Sequence, residues 1–141
     1  MATENSQPQG VVTSTITTNF TSSEILEFLS SNGGVYLLVT QNNGTPHPVQ
    51  HRLIKFDFQE DITNGRHPFV DGGPVSLFDY QVNYKSGGNE MFTGLKNEGG
   101  YVDIDFDKHT MRLHAKFSIP TESLDGDKAR LEGEINVHRM T

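Results

Sequence analysis

Residues 101–119 carry the pattern that most restricts the fold of this chain. Val102, Ile104 and Phe106 alternate with Tyr101, Asp103, Asp105 and Asp107. Beyond Lys108 and His109 the alternation resumes, with Met111, Leu113, Ala115, Phe117 and Ile119 set against Arg112, His114, Lys116 and Ser118. Successive side chains of a strand point to opposite faces, so each run has one apolar and one charged face. A hairpin turning at Lys108-His109 places Asp105 opposite Arg112, Asp103 opposite His114, Tyr101 opposite Lys116 and Ile104 opposite Leu113. That register sets acid against base on one face and apolar against apolar on the other, and a slip of one residue destroys both matches. The pattern predicts an antiparallel sheet with one wet face.

The rest of the chain reads in the same way. Residues 11–20 are rich in Thr and β-branched side chains, with Val12, Ser14, Ile16, Thr18 and Phe20 on one face, and predict a first strand. Residues 22–31 predict one short helix: Thr21 and Glu24 have capping-box spacing, Ile25, Leu26, Phe28 and Leu29 form an apolar stripe, and Asn32-Gly33-Gly34 supplies a left-handed stop. Strands are then expected at 35–40, 49–58, 75–84, 91–95 and 129–140, with a turn at Asn43-Gly44. On the second of these Arg52, Ile54, Phe56 and Phe58 share one side; on the third Phe78, Tyr80, Val82 and Tyr84 do. Residues 59–74 and 120–128 read as loops. The fold class is mainly β: an antiparallel sandwich or barrel of about seven or eight strands with one short N-terminal helix. A disordered tail is expected at residues 1–10 and a single β-rich domain over 11–141.

Composition narrows the partners. A net charge of −7 opposes binding to nucleic acid or an anionic membrane surface. No apolar run approaches the roughly 20 residues of a membrane span. The first ten residues lack the basic-then-apolar order of a secretory signal, so localisation stays open between the cytoplasm and leaderless export. The chain has no Cys, which removes disulfides, thiolate metal sites and a cysteine nucleophile. No cofactor is expected, because no dinucleotide or phosphate-binding glycine motif is present.

Several groups can carry chemistry. His47 and His51 are candidate metal ligands; on a strand they share a face but stand roughly 13 Å apart, too far to grip one ion without help from other strands. Asp103, Asp105 and Asp107 open like a Ca²⁺ loop, but Lys108 stands where the glycine is needed and His114 where the bidentate Glu belongs. The acidic turns Asp71-Gly72-Gly73 and Asp125-Gly126-Asp127 are explained by backbone geometry alone. No Gly-x-Ser-x-Gly elbow and no His-Glu-x-x-His pair occurs, so no catalytic residue is assigned. The aromatic face Phe78, Tyr80 and Tyr84, joined by Phe56 if the sheet closes, is the candidate ligand-binding element, because Tyr combines an apolar body with a polar tip.

Three functions fit these residues. The leading one is a non-catalytic β-domain that binds a protein partner or forms a homo-oligomer through strand edges and the 59–74 loop. The second is a barrel or sandwich that holds an apolar small molecule or carbohydrate against Phe56, Phe78, Tyr80 and Tyr84. The third is a metal-dependent enzyme using His47, His51, His67 or His114 with nearby acids, which requires these groups to converge in space.

Overall fold

In the computed structural model, which describes residues 8–15, 19–42, 45 and 47–139, every regular element is a strand. There are eleven among the described residues: β1 (Pro8–Thr15), β2 (Asn19–Ser22), β3 (Glu24–Ser31), β4 (Gly34–Gln41), β5 (Val49–Gln59), β6 (Gly65–Pro68), β7 (Val75–Tyr84), β8 (Asn89–Gly94), β9 (Tyr101–Asp107), β10 (Arg112–Ser123) and β11 (Lys128–Arg139). They form one antiparallel sheet in the order β2-β1-β11-β10-β8-β7-β5-β4-β3, with β9 beside β10 and β6 beside β9. The strands at the two ends of that order, β2 and β3, are consecutive in the chain and separated by Ser23 alone. The sheet therefore curls round until its ends meet through the backbone, a nearly closed barrel. Ser22 clasps this seam. Its hydroxyl donates to the Thr40 carbonyl of β4 and accepts the Glu24 amide at 2.9 Å.

The structure replaces the expected helix at 22–31 with β3, and the count of seven or eight strands rises to eleven. A ten-residue helix has little stability of its own, and packing decides its fate. Here the alternating β4 needs a hydrogen-bonding neighbour on each edge, and β3 supplies one over the whole length. Only Phe28 of the four-residue apolar stripe is fully buried; Leu26, at the bulge between Ile25 and Glu27, is 63% exposed. The supposed cap is a cross-strand link, with Glu24 accepting the Asn42 amide and side chain at 2.9 and 3.1 Å. Asn32 and Gly33 are left-handed, at φ 53° and 83°, but they form the two-residue turn of the β3–β4 hairpin.

The 101–119 hairpin forms, with its register moved by two residues. Asp107 pairs with Arg112, Asp105 with His114, Asp103 with Lys116 and Ile104 with Ala115. A two-residue turn needs left-handed backbone at both positions, and Lys108-His109 offers neither Gly nor Asn. The chain instead makes a four-residue loop. The Asp107 carboxylate accepts the amides of His109 (2.9 Å) and Thr110 (3.3 Å), and Met111 takes the left-handed position at φ 50°. A shift of two keeps every side chain on its own face, so the alternation survives intact.

Other boundaries move outward. β1 begins at Pro8, inside the segment read as a tail; the expected strand at 11–20 is divided between β1 and β2; and β10 runs through Pro120 to Ser123. The 59–74 connection is not wholly a loop, because β6 pairs with β9 from Gly65↔Ile104 to Pro68↔Tyr101. The Asn43-Gly44 turn lies outside the described residues. Burial follows the alternation: Ile54, Phe56 and Phe58 of β5, Phe78, Tyr80 and Val82 of β7, and Leu131, Ile135 and Val137 of β11 all point into one core.

Candidate functional site

The barrel interior is graded from end to end. At the end bearing the β3–β4 and β9–β10 turns it is a column of rings. Phe106 meets Phe58 at 5.1 Å between centroids, Phe58 meets Phe56 at 5.0 Å, Phe56 meets Phe78 at 4.9 Å, and Phe78 meets Phe117 at 4.6 Å. Toward the other end, where β4 finishes and β5 starts, buried positions turn polar. Gln41 stands opposite Arg52, Ser14 opposite Phe20, and Ser123 opposite Phe92.

Arg52 is the chemical centre of this second half. Its side chain is placed inward by the β5 alternation and is 1% exposed. The guanidinium donates from Nε (3.0 Å) and Nη2 (2.7 Å) to the same oxygen, Oε1 of Gln41, and from Nη1 to the Tyr80 hydroxyl at 3.4 Å. Its carbon lies 5.4 Å from the centre of the Phe20 ring, whose edge meets Tyr80 at 6.5 Å. Burial pushes the Tyr80 phenol up, against the pull of Arg52, and so keeps the hydroxyl protonated. Four residues on, Tyr84 reaches the partly buried rim and donates to Glu90 of β8 at 3.1 Å; burial and that carboxylate both raise its phenol pKa.

No family model, curated protein or solved structure matches this chain.

The site residues expected from the sequence divide accordingly. Phe56 and Phe78 belong to the ring column, Tyr80 joins Phe20, Phe92 and Arg52, and Tyr84 stands at the rim. Among the histidines, His47 is exposed, His51 bonds Asn83 at 2.9 Å, His67 bonds the Thr63 carbonyl at 2.6 Å, and His114 bonds Glu134 at 2.5 Å. Among the described residues no group of three or more His, Cys, Asp or Glu is placed to hold a metal ion. No described helix is long and apolar enough to cross a membrane. The Asp71 turn is tied down by Asn97, which donates to its carboxylate at 2.8 Å and accepts its amide at 3.2 Å.

The hairpin acids find partners beyond their own hairpin. Arg66 of β6 grips Asp103 with two bonds of 2.8 and 3.0 Å while stacking 3.8 Å from the centre of the Tyr101 ring. The donated bonds hold the Asp103 carboxyl below its usual range, as His114 does for Glu134. Beside them lie two open grooves. One of about 520 Å³ lies between the β5–β6 connection and the β9–β10 turn, lined by Glu60, Asp61, Asp105 and Asp107 with Lys108 and His109. The other, about 330 Å³, runs along Arg66, Asp103, His114 and Lys116.

Arg52 and Gln41 are the residues that sequence reasoning did not single out. The signal was present for Arg52, because a lone cation sat in phase with Ile54, Phe56 and Phe58. Gln41 looked like the first residue of a turn, and its role depends on its pairing opposite Arg52.

Proposed function

We propose that this protein is a binding barrel for a small molecule that carries an oxyanion on an apolar body. The oxyanion is received by Arg52 and Tyr80, the body lies against the aromatic interior toward Phe56 and Phe78, and Tyr84 with Glu90 frames the entrance. The single observation that supports this reading is the guanidinium held at 1% exposure among aromatic rings. Moving such a cation out of water costs several kcal/mol, and hydrophobic replacements of buried charges are often neutral or stabilising, so stability is a poor reason to keep one. Binding is a better one. The Nε–Nη2 edge, which can hold two oxygens of a carboxylate or phosphate by parallel bonds, is here directed at the single oxygen Oε1 of Gln41. The amide oxygen of Gln41 occupies the place that such an anion would take, and an incoming oxyanion would take over these donors as the Gln41 side chain turns away.

The test compares an aromatic or aliphatic carboxylate with its neutral amide by thermal shift and calorimetry. The carboxylate should raise the melting temperature of the wild type and the amide should not. Arg52→Met should remain folded and lose the response. A wild type indifferent to carboxylates, phosphates and sulfates at millimolar concentration, or an Arg52→Met variant that responds as the wild type does, would overturn the reading.

A further inference from the structure

A second charge stands at the mouth of the barrel in line with Arg52. Gln41, Arg52, Val82 and Glu90 form one cross-strand row over β4, β5, β7 and β8. Arg52 and Val82 are buried on the inner face, and half-buried Glu90 shares that phase, two residues before the buried Phe92 of β8. The next row toward the ring column is Ile54, Tyr80 and Phe92. Neighbouring strands lie about 4.8 Å apart, so the backbones that carry the guanidinium and the carboxylate stand about 10 Å apart across the sheet.

These two opposite charges do not pair with each other. Arg52 donates to Gln41 Oε1 and to the Tyr80 hydroxyl, while Glu90 Oε1 accepts the Tyr84 hydroxyl at 3.1 Å. Among the described residues Glu90 makes no ion pair and accepts no other hydrogen bond. Tyr80 feels both charges: burial raises its phenol most, Arg52 lowers it and Glu90 raises it. The mouth therefore has a positive pole at Arg52 and a negative pole at Glu90. A plain anion drawn to Arg52 also meets the repulsion of Glu90 and of a chain with a net charge of −7. An ammonium on the same molecule, set against Glu90, turns that repulsion into a charge-assisted hydrogen bond.

We infer that the ligand is a zwitterion of the amino-acid type, with its carboxylate at Arg52 and Tyr80 and its ammonium at Glu90. This rests on the oxyanion reading above and adds to it a second pole, with Glu90 as the residue that sets specificity. Three groups of the ligand then take three directions: the carboxylate to Arg52, the ammonium to the second oxygen of Glu90, and the apolar body to Tyr80, Phe92 and the rings beyond. An amino acid with an aromatic side chain carries these three groups on a short frame. Arg52 is the one Lys or Arg among the buried described residues, so the site suits a singly charged carboxylate better than a phosphate dianion, which calls for a second cation.

Titration calorimetry of the full chain with phenylalanine and hydrocinnamate, which differ by the ammonium alone, tests the inference. A second pair, para-(aminomethyl)benzoate and para-methylbenzoate, sets the two poles further apart. In at least one pair the wild type should bind the ammonium-bearing member at least about tenfold more tightly. Glu90→Gln keeps an acceptor for Tyr84 and removes the charge. It should lose that preference and hold the plain carboxylate as tightly as the wild type does, or more so. Arg52→Met should lose all four compounds. A wild type that binds the carboxylates without favouring either ammonium-bearing member, or a Glu90→Gln protein that keeps the preference, would overturn this inference and leave the oxyanion reading standing. A wild type that binds none of the four would overturn both.

Discussion

Gly133 is where the close pairing of β1 against β11 can be tested most directly. It lies in β11 between two strands, pairing with Ser14 of β1 on one side and Phe117 of β10 on the other. A Cβ there would stand 2.0 Å from the Thr13 carbonyl oxygen, 2.7 Å from the Ser14 Cα and 2.8 Å from the Phe117 ring. Two of these atoms are backbone of β1, so relief requires the strand itself to move by about an ångström. Overpacking of this severity costs about 1–3 kcal/mol. Stretching one or two ladder hydrogen bonds adds about 1 kcal/mol each. Gly133→Ala should therefore lose about 3 kcal/mol, a large share of the roughly 10 kcal/mol expected for a chain of this length. At about 2–4 °C per kcal/mol the melting temperature falls by about 6–12 °C. Gly88→Ala is the control, because its new methyl would meet only Ser86 Oγ at 3.8 Å. Urea denaturation followed by far-ultraviolet circular dichroism measures both. If the two variants lose the same stability, β1 does not lie against β11 this closely and the account of that pairing fails.

Other consequences follow from the same contacts. Ile104→Ala and Leu113→Ala should each cost about 2–4 kcal/mol in chemical denaturation, because both side chains are buried in the core; a loss below about 1 kcal/mol would put that hairpin outside it. Asp103 titrates low in the fold, so its contribution is present above the unfolded carboxylate pKa and is lost as pH falls through the folded value. Asp103→Asn should therefore lose a little stability at neutral pH, small because Arg66 and Asp103 are solvent-accessible, and should match the wild type below the folded pKa, flattening the acid limb by that same small amount. Asp57 behaves oppositely. Its folded pKa is raised, so the native state is favoured while the carboxyl is protonated, and stability falls as pH rises from the unfolded pKa to the folded one. Asp57→Asn should abolish that fall and stabilise the fold at neutral pH, measured by chemical denaturation; an unchanged pH profile would show that Asp57 is well solvated.

The inward and outward assignment of side chains was legible in the sequence, residue by residue. Arg52, Ile54, Phe56 and Phe58 share one face of β5, and Phe78, Tyr80 and Val82 share one face of β7, as their alternation requires. A period of two states which side each residue takes, but it is unchanged by sliding one strand past another by two residues. The 101–119 hairpin moved by that amount, and the choice was made by the turn, where Asp107 and left-handed Met111 close a four-residue loop. Residues 22–31 show the same division. Their left-handed Asn32-Gly33 stop was readable, yet whether it ends a helix or turns a hairpin depends on β4 needing a neighbour. Partners distant in the chain, such as Gln41 for Arg52 or Arg66 for Asp103, exist only once strands far apart in sequence lie side by side. Local periodicity thus determined the two faces of the sheet; only closure of the barrel decided which charges met inside it and which were left on its surface.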